Sequence, residues 1–499
     1  MNFPLIRGTA VIKDRDRSAG DNLKDSASEI PLAVDLDGTV VLTDSLIESI
    51  LILVKSNPLY ILAMLAWSLR GMAHLKKQIS SRVAMDVSSL PYHMSLLDYL
   101  RTQHREEKRP LILATGADEN VARQIADYLH IFDRVLASDG KTNLSGVRKR
   151  DCLVKEFGAG GFDYVGNSRK DLPVWRAARR ALVVGSPGCM RYVFDRLSNV
   201  ERTFERDKAG VGVYLRSLRM YQWLKNVLVF VPLAAAHRYT EMSLLASACL
   251  AFVSFGLCAS SVYVLNDLLD LADDRRHPRK RYRPFAAGVL PLAAGLGMIP
   301  TLLGLAIGIG SILPRWFLAM LGIYYALTLA YSMWIKRLIV LDVIVLAALF
   351  SMRMLAGSAA VSIWPSPWLL SLSMFLFTSL ALVKRYAELV IIRRENGPNA
   401  RARSYVVSDA ELLSAMGVAS GVVAVLVLVL YITSGPAQLY YGRHEAIWLV
   451  CPILLFWICY IWIIAHRGEM LDDPLVFALR DRISGLAIGA MAILMILAI

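Results

Sequence analysis

From Leu224 to the C-terminus, stretches of about 20 mainly apolar residues recur between short polar breaks. Each is long enough to cross a ~30 Å hydrocarbon core at a helical rise of about 1.5 Å per residue. The pattern predicts nine spans, at residues 224–241, 243–265, 286–312, 316–334, 338–361, 366–383, 410–433, 446–466 and 482–499. The first 200 residues follow another rhythm. An apolar run ends at Asp35, and further β-type runs at residues 110–115, 134–138, 162–166 and 181–185 alternate with charged helical stretches. That alternation predicts a parallel α/β sheet, whose ligand site lies beyond the C-terminal ends of its strands. The expected organisation is a mobile tail over residues 1–30, an α/β domain over 31–200, a linker over 201–220 and a membrane domain over 221–499.

Composition sharpens this division. Apolar residues make up 56% of the 499 and charged residues only 19%, an excess that water does not solvate. The net charge of +14 divides at residue 215 into +5 for the charge-dense N-terminal part and +9 for the apolar remainder. With the N-terminal part in the cytosol, 17 basic residues fall in cytosolic loops and only Arg238, Arg315 and Arg443 in opposite loops, the bias of the positive-inside rule. Positive charge placed this way sets topology and meets phosphates, and it gives no reason to expect nucleic acid. The six cysteines form no CxxC pair, so neither a zinc site nor a disulfide framework is indicated. Asp342 and Arg353 lie inside the fifth span, where ionisable groups serve either a site or an ion pair.

At the polar end of the second span the chain reads Asn266-Asp267-Leu268-Leu269-Asp270, then Asp273-Asp274-Arg275-Arg276-His277-Pro278 and Lys280-Arg281-Tyr282-Arg283-Pro284. In a continuing helix Asp267, Asp270 and Asp274 share one face, and clustered carboxylates repel unless they share a cation. Hard oxygen ligands with room for water suit Mg²⁺, which commonly brings substrate phosphates with it. The basic run supplies further phosphate contacts. This NDxxDxxxD pattern at a span end resembles the first aspartate motif of the UbiA superfamily of membrane prenyltransferases. That resemblance implies nine spans, with motifs after the second and sixth.

Gln222-Trp223-Leu224-Lys225-Asn226, the loop at 274–284 and Lys384-Arg385-Tyr386-Ala387-Glu388-Leu389 are similar to one subgroup, the decaprenyl-phosphate phosphoribosyltransferases. The second acidic motif of ordinary superfamily members is missing after the sixth span. Lys384, Arg385, Glu388, Arg393, Arg394, Arg401, Arg403 and Tyr405 stand there instead. A basic loop suits a donor carrying a pyrophosphate and a 5-phosphate together with an acceptor phosphate. The resemblance implies transfer of phosphoribose from phosphoribosyl pyrophosphate to a polyprenyl phosphate, with Mg²⁺ on Asp267, Asp270 and Asp274. Substrate contacts are then expected from Lys225, Asn226, Asn266, Arg275, Lys280, Arg281, Arg283, Lys384, Arg385 and Glu388.

In the N-terminal part the chemistry-bearing residues fall at strand ends. Asp35-Leu36-Asp37-Gly38-Thr39 follows the first run, Thr115 the second and Gly166-Asn167-Ser168-Arg169-Lys170-Asp171 the fourth, with Lys149 between. These four elements in order resemble the haloacid dehalogenase superfamily of phosphatases. The resemblance implies Asp35 as nucleophile, Asp37 as general acid/base, Thr115 and Lys149 as phosphate anchors, and Mg²⁺ on Asp35, the Asp37 carbonyl, Asn167 and Asp171. One carboxylate attacks while a neighbour shuttles the proton. Asn167 stands where the family is usually acidic, and an amide is a poorer Mg²⁺ ligand than a carboxylate. Residues 45–54 and 59–69 form apolar helical stretches, each too short to span a bilayer. They should supply the helical cap of that superfamily by ordinary packing, and could rest on the bilayer.

The expected fold is thus a Rossmann-like α/β haloacid dehalogenase domain with a helical cap, followed by an all-α transmembrane bundle of nine helices. The two resemblances together imply a bifunctional enzyme of the inner membrane, in which the N-terminal domain removes the 5-phosphate from the transferase product. A homo-oligomer is compatible with the sequence. Two rivals use other chemistry: a prenyltransferase acting on an aromatic or small acceptor, and a transporter with a regulatory cytosolic domain. Internal repeats and interrupted helices at the membrane midplane, common in transporters, are not seen.

Overall fold

The computed structural model describes residues 30–185, 188, 195–206, 209–396, 401–402, 404–434, 441, 443–470 and 473–498. Residues 1–29 of the expected tail over 1–30, Cys189 and Arg403 lie outside these residues. The chain divides into two compact units, one comprising residues up to Ser217 together with Leu265–Gly297, the other Leu218–Val264 and Met298–Ile499.

The first unit is built on a six-stranded sheet of β1 (Leu32–Val34), β2 (Leu111–Asp118), β3 (Arg134–Ser138), β4 (Asp163–Gly166), β5 (Ala181–Gly185) and β6 (Val200–Glu205). The order is β3-β2-β1-β4-β5-β6, with every pair parallel. Alternate side chains enter different cores, as the two-residue period of a strand requires. Leu32, Val34, Leu111, Leu113, Val165, Leu182 and Val184 join one apolar cluster, whereas Ala33, Ala114, Tyr164, Ala181 and Val183 join the other. Both faces are covered, which is why these strands read as continuous apolar runs.

Between β1 and β2 come the helices α1 (Ser45–Ser56), α2 (Tyr60–Ser68), α3 (Met72–Ser80) and α4 (Met94–Arg105). The remaining crossovers carry α5 (Glu119–Leu129), α6 (Val147–Phe157) and α7 (Leu172–Ala177). Asp44 starts α1 by accepting the Ile47 N–H at 3.0 Å, and Asn57 with Pro58 ends it. Residues 201–205, expected in a linker, form with Val200 the edge strand β6. Only Phe204 in it is buried, so the run lacks the apolar continuity of the inner strands.

Six helices among the described residues are long and apolar enough to cross a membrane, or seven if one bent pair counts as a single span. They include α8 (Met242–Leu269), α10 (Leu292–Gly310), α11 (Arg315–Met333), α12 (Leu341–Val361) and α14 (Ala410–Ile432), with α15 (Val450–His466) inside the sixth stretch, Glu445–His466. The short α9 (Leu271–Arg276) follows α8, and α13 (Pro367–Asn396) runs 30 residues, carrying the sixth predicted span onward through Lys384 and Glu388. The first predicted span differs. Residues Met220–Phe230 form a 3-10 helix and Val231–Ala235 one helical turn, which ends before His237 at a φ of 56°. The ninth is a pair, α16 (Pro474–Arg480) and α17 (Arg482–Ala498), bent by 82°. Asp481 makes the corner, its carboxylate accepting the Ser484 N–H at 2.8 Å.

Candidate active sites

In the first unit the strand order reverses beside β1, and the crevice at such a switch point is where open α/β sheets bind ligands. Val34 is level with Leu113 and Val165, so Asp35 leaves β1 beside the ends of β2 and β4. Lys149, at the start of α6, donates to Asp35 at 2.7 Å and to the Tyr164 hydroxyl at 2.9 Å, and its ammonium lies 3.7 Å from Asp171. Tyr164 in turn donates to Asp171 at 2.8 Å. Burial pushes Asp35 up to about 6, against the pull of the Lys149 ammonium. Burial opposes the charge on Lys149, but the Asp35 and Asp171 carboxylates carry it above its usual value. Three of the expected residues, Asp35, Lys149 and Asp171, thus form one network, completed by Tyr164.

Asp37 accepts the Ser45 N–H at 2.8 Å, and burial, reinforced by the Asp44 carboxylate, raises it to about 7. Gly38 takes a φ of 73°, and a Cβ there would fall 2.0 Å from the Asn167 amide nitrogen, so glycine is required and Asn167 lies over this turn. Thr115 is fully buried and accepts the Ala117 N–H at 3.0 Å. One residue escaped the sequence reading. Lys76, on α3, donates to the Gly116 carbonyl at 2.5 Å and to Asn143 at 2.9 Å, beside Thr115, and burial lowers its pKa. It lies 40 residues before Gly116, and no local pattern marks it.

The donor set tests the fit of a divalent ion. Asp171 Oδ2 already accepts the Asn167 N–H, the Ser168 N–H and the Ser168 hydroxyl. Nearby stand the second oxygen of Asp35, the Asp37 carbonyl and the neutral amide of Asn167, which lies over the Gly38 turn. They fit Mg²⁺ with one carboxylate rather than two, a weaker holding set.

The aspartate-rich segment also belongs to the first unit. The expected continuous helix breaks at Asp270, which has a φ of −104° and a ψ of 20°. Bonds still cross the break, from Asp270 N–H to the Asn266 carbonyl at 2.9 Å and from Asp274 N–H to the Asp270 carbonyl at 2.8 Å. Asp267 and Asp274 are buried and converge on one guanidinium nitrogen of Arg283, at 3.1 and 2.5 Å. Asp270 turns instead to Lys55 of α1, which also holds Asp273, both at 2.9 Å. Arg275, expected to bind substrate, is buried in a two-pronged pair with Glu48 of α1 at 2.9 and 2.7 Å. Lys280 and Arg281 lie exposed in the loop.

The three expected metal ligands therefore do not meet at one point. Among the described residues, no group of three or more His, Cys, Asp or Glu stands placed to hold a metal ion. Asp267 and Asp274 do converge on a shared cation, and two carboxylates completed by substrate phosphate and water are a usual Mg²⁺ complement.

In the second unit Lys225 and Lys384, expected as substrate contacts, share one carboxylate oxygen of Asp473, at 2.8 and 2.9 Å. Lys225 and Arg353 both lie against the Phe350 ring, at 5.7 and 5.6 Å from its centre. Arg353 also donates to Asn226 Oδ1 at 3.1 Å. Asn226 is buried, and its Nδ2 is left with no hydrogen-bond partner. Three cations against one carboxylate, beside a buried unused donor, suit an anionic oxygen ligand. Asp342 and Arg353 do not pair with each other. Asp342 holds Arg385 at 2.6 Å and accepts the Tyr405 hydroxyl at 2.6 Å, while Arg385 reaches Glu388 at 2.7 Å and the Tyr331 hydroxyl at 2.6 Å. Arg385 and Glu388 thus enter a structural network.

The model of the UbiA prenyltransferase family matches residues 227–480, just over half of the chain. An uncharacterised protein of Sinorhizobium fredii, y4nM, is 36% identical over 460 residues, covering 91% of this chain and 88% of that one, so the match takes in both units. Nodulation protein NoeC of Azorhizobium caulinodans is 38% identical over 290 residues, 55% of this chain and 91% of its own. A decaprenyl-phosphate phosphoribosyltransferase of Mycolicibacterium smegmatis is 31% identical over 284 residues, again 55% of this chain and 88% of its own. With several helices apolar and long enough to cross a bilayer, this is a multi-pass membrane protein. The chain belongs to the UbiA prenyltransferase family.

Proposed function

We propose that the protein transfers 5-phosphoribose from phosphoribosyl pyrophosphate to a polyprenyl phosphate, and that its N-terminal unit removes the 5-phosphate from the lipid-linked product. The observation that carries the transferase reading is the cluster of Lys225, Asn226, Arg353 and Lys384, where a buried amide donor lacks an acceptor beside excess positive charge. A phosphate supplies the missing acceptor oxygen and the missing charge. The likeness to the Mycolicibacterium protein, named decaprenyl-phosphate phosphoribosyltransferase, supports this reading.

Asp267 and Asp274 would hold Mg²⁺, which when bound neutralises the leaving pyrophosphate. Arg283 and the loop cations Lys280 and Arg281 contribute further positive charge to the donor's phosphates. The lipid phosphate attacks the anomeric carbon and the bond to pyrophosphate breaks; within the second unit, Lys225, Asn226 and Lys384 offer a phosphate-binding cluster of their own. Nine crossings are proposed, with residues 220–235, α13 and the bent pair of α16 and α17 added to the clearer spans. The N-terminal unit and the aspartate loop face the cytosol, in the inner membrane.

In the N-terminal unit, Asp35 is the proposed nucleophile, Lys149 and Thr115 hold the phosphate, and Asp37 carries the proton. Mg²⁺ there would rest on Asp35, the Asp37 carbonyl and Asn167, and supplies charge neutralisation at the phosphate when bound. Purified protein given Mg²⁺, phosphoribosyl pyrophosphate and decaprenyl phosphate should release pyrophosphate and glycosylate the lipid. Consumption of a prenyl diphosphate with an aromatic acceptor instead would favour the prenyltransferase reading.

A further inference from the structure

Helix α2 has two apolar faces. Tyr60, Met64 and Trp67 turn inward onto the small cluster of Leu53, Leu75 and Ile79. On the other side Leu59, Ile61, Leu62, Leu65, Leu69 and Met72 are exposed, Leu59, Leu62, Leu65 and Leu69 by 69%, 66%, 62% and 88%. Between residues 59 and 69 the side chains lacking apolar character reduce to Ser68. Ordinary cap packing, expected from the sequence, accounts for the inner face alone. A helix that is apolar all round needs cover on every side.

Two observations identify that cover. First, α1 is anchored within the same unit to the end of a helix long and apolar enough to cross a membrane. Lys55 holds Asp270 and Asp273, immediately after α8, and Glu48 holds Arg275. Helix α2 begins five residues after Lys55, so it is tethered to the level at which α8 ends. Second, no acidic residue occurs from Ser49 to Met85, whereas Lys55, Arg70, Lys76, Lys77 and Arg82 do. Lys55 is taken up by Asp270 and Asp273 and Lys76 by the Gly116 carbonyl, which leaves Arg70, Lys77 and Arg82 as the segment's remaining cations. An apolar face in a segment of this charge matches an anionic bilayer surface, where such helices bury their apolar side about 5–10 Å deep.

We propose that the outer face of α2 lies in the interface of the membrane that the chain itself crosses, so that the N-terminal unit is seated on the bilayer through its cap. A phosphatase seated there meets a lipid-borne substrate without extracting it. This rests only on the membrane character of the chain, and its failure would leave the transferase reading intact.

Single cysteines at Leu62, Leu65 and, as a solvent control, Glu106 are introduced into the full chain after removal of its own cysteines. Each variant is spin-labelled in nanodiscs of phosphatidylethanolamine and phosphatidylglycerol. Labels at positions 62 and 65 should be relaxed by oxygen and lose access to an aqueous nickel chelate, with the reverse at 106. Access to the chelate equal to that at 106 overturns the proposal, and so does access to neither reagent, which would mean protein cover. The unaltered chain provides a second readout through a photoactivatable diazirine phospholipid. The tryptic peptide from Ser56 to Arg70 should be labelled, and its escape while α14 is labelled would equally overturn the proposal.

Discussion

Asp37 carries a stability signature as well as a proposed chemical one. An acid raised from 3.8 to about 7 keeps its proton in the folded chain while the unfolded chain loses its own, so stability falls as pH climbs through that window. Asp37→Asn removes the titrating group. In chelator, thermal unfolding should show the variant gaining more at about pH 8 than at about pH 5 relative to the parent; an equal gain at both would contradict the raised value. Beside it, Asn167→Asp restores a charged ligand at a position already lying over the Asp35 turn. It should lower the Mg²⁺ concentration needed for half-maximal phosphate release, read by titrating the metal. The strand-end residues Asp35, Thr115 and Asn167 were legible because each follows an apolar run. Lys76 and Asp473 were not, since each acquires meaning from partners far away in sequence: Asp473 reads locally as a helix cap before Pro474, and Lys225 lies 248 positions earlier.

At the scale of elements, a buried ion pair in the first unit joins α1 to α9. Glu48 and Arg275 are buried together, and removing one partner of a buried pair typically costs about 3–5 kcal/mol because the other charge is stranded. Glu48→Ala should destabilise the N-terminal unit by roughly that amount in thermal unfolding, and speed trypsin cleavage in the basic run from Arg275 to Arg283. A second packing test lies in α7, where Trp175 is fully buried and donates to the Leu182 carbonyl at 3.2 Å. Trp175→Ala should cost about 3–5 kcal/mol by the same measurement. The inner strands and the long apolar helices were readable because burial on both faces, or lipid all round, leaves a continuous apolar record. Strand β6 left none, being an edge with one buried side chain. The first predicted span differs in form: its residues are apolar enough, but 3-10 geometry and the left-handed His237 keep them from making one continuous α-helix. Hydropathy alone does not report backbone geometry.

For the whole molecule, the proposed transfer from phosphoribosyl pyrophosphate would leave a phosphate on the ribose, and the proposed phosphatase unit of the same chain would meet that product at a raised effective concentration. Variants should separate the steps. Asp267→Asn should abolish transfer while the chain stays folded in detergent, and Asp35→Asn should permit transfer but leave the lipid-linked ribose phosphorylated. The most direct measurement is mass spectrometry of the lipids after the purified chain is incubated with Mg²⁺, decaprenyl phosphate and phosphoribosyl pyrophosphate labelled in the ribose. Labelled polyprenyl phosphoribose without its 5-phosphate is the predicted product. A lipid carrying no label would contradict the transferase assignment, and one that stays 5-phosphorylated with Asp35 intact would contradict the bifunctional reading.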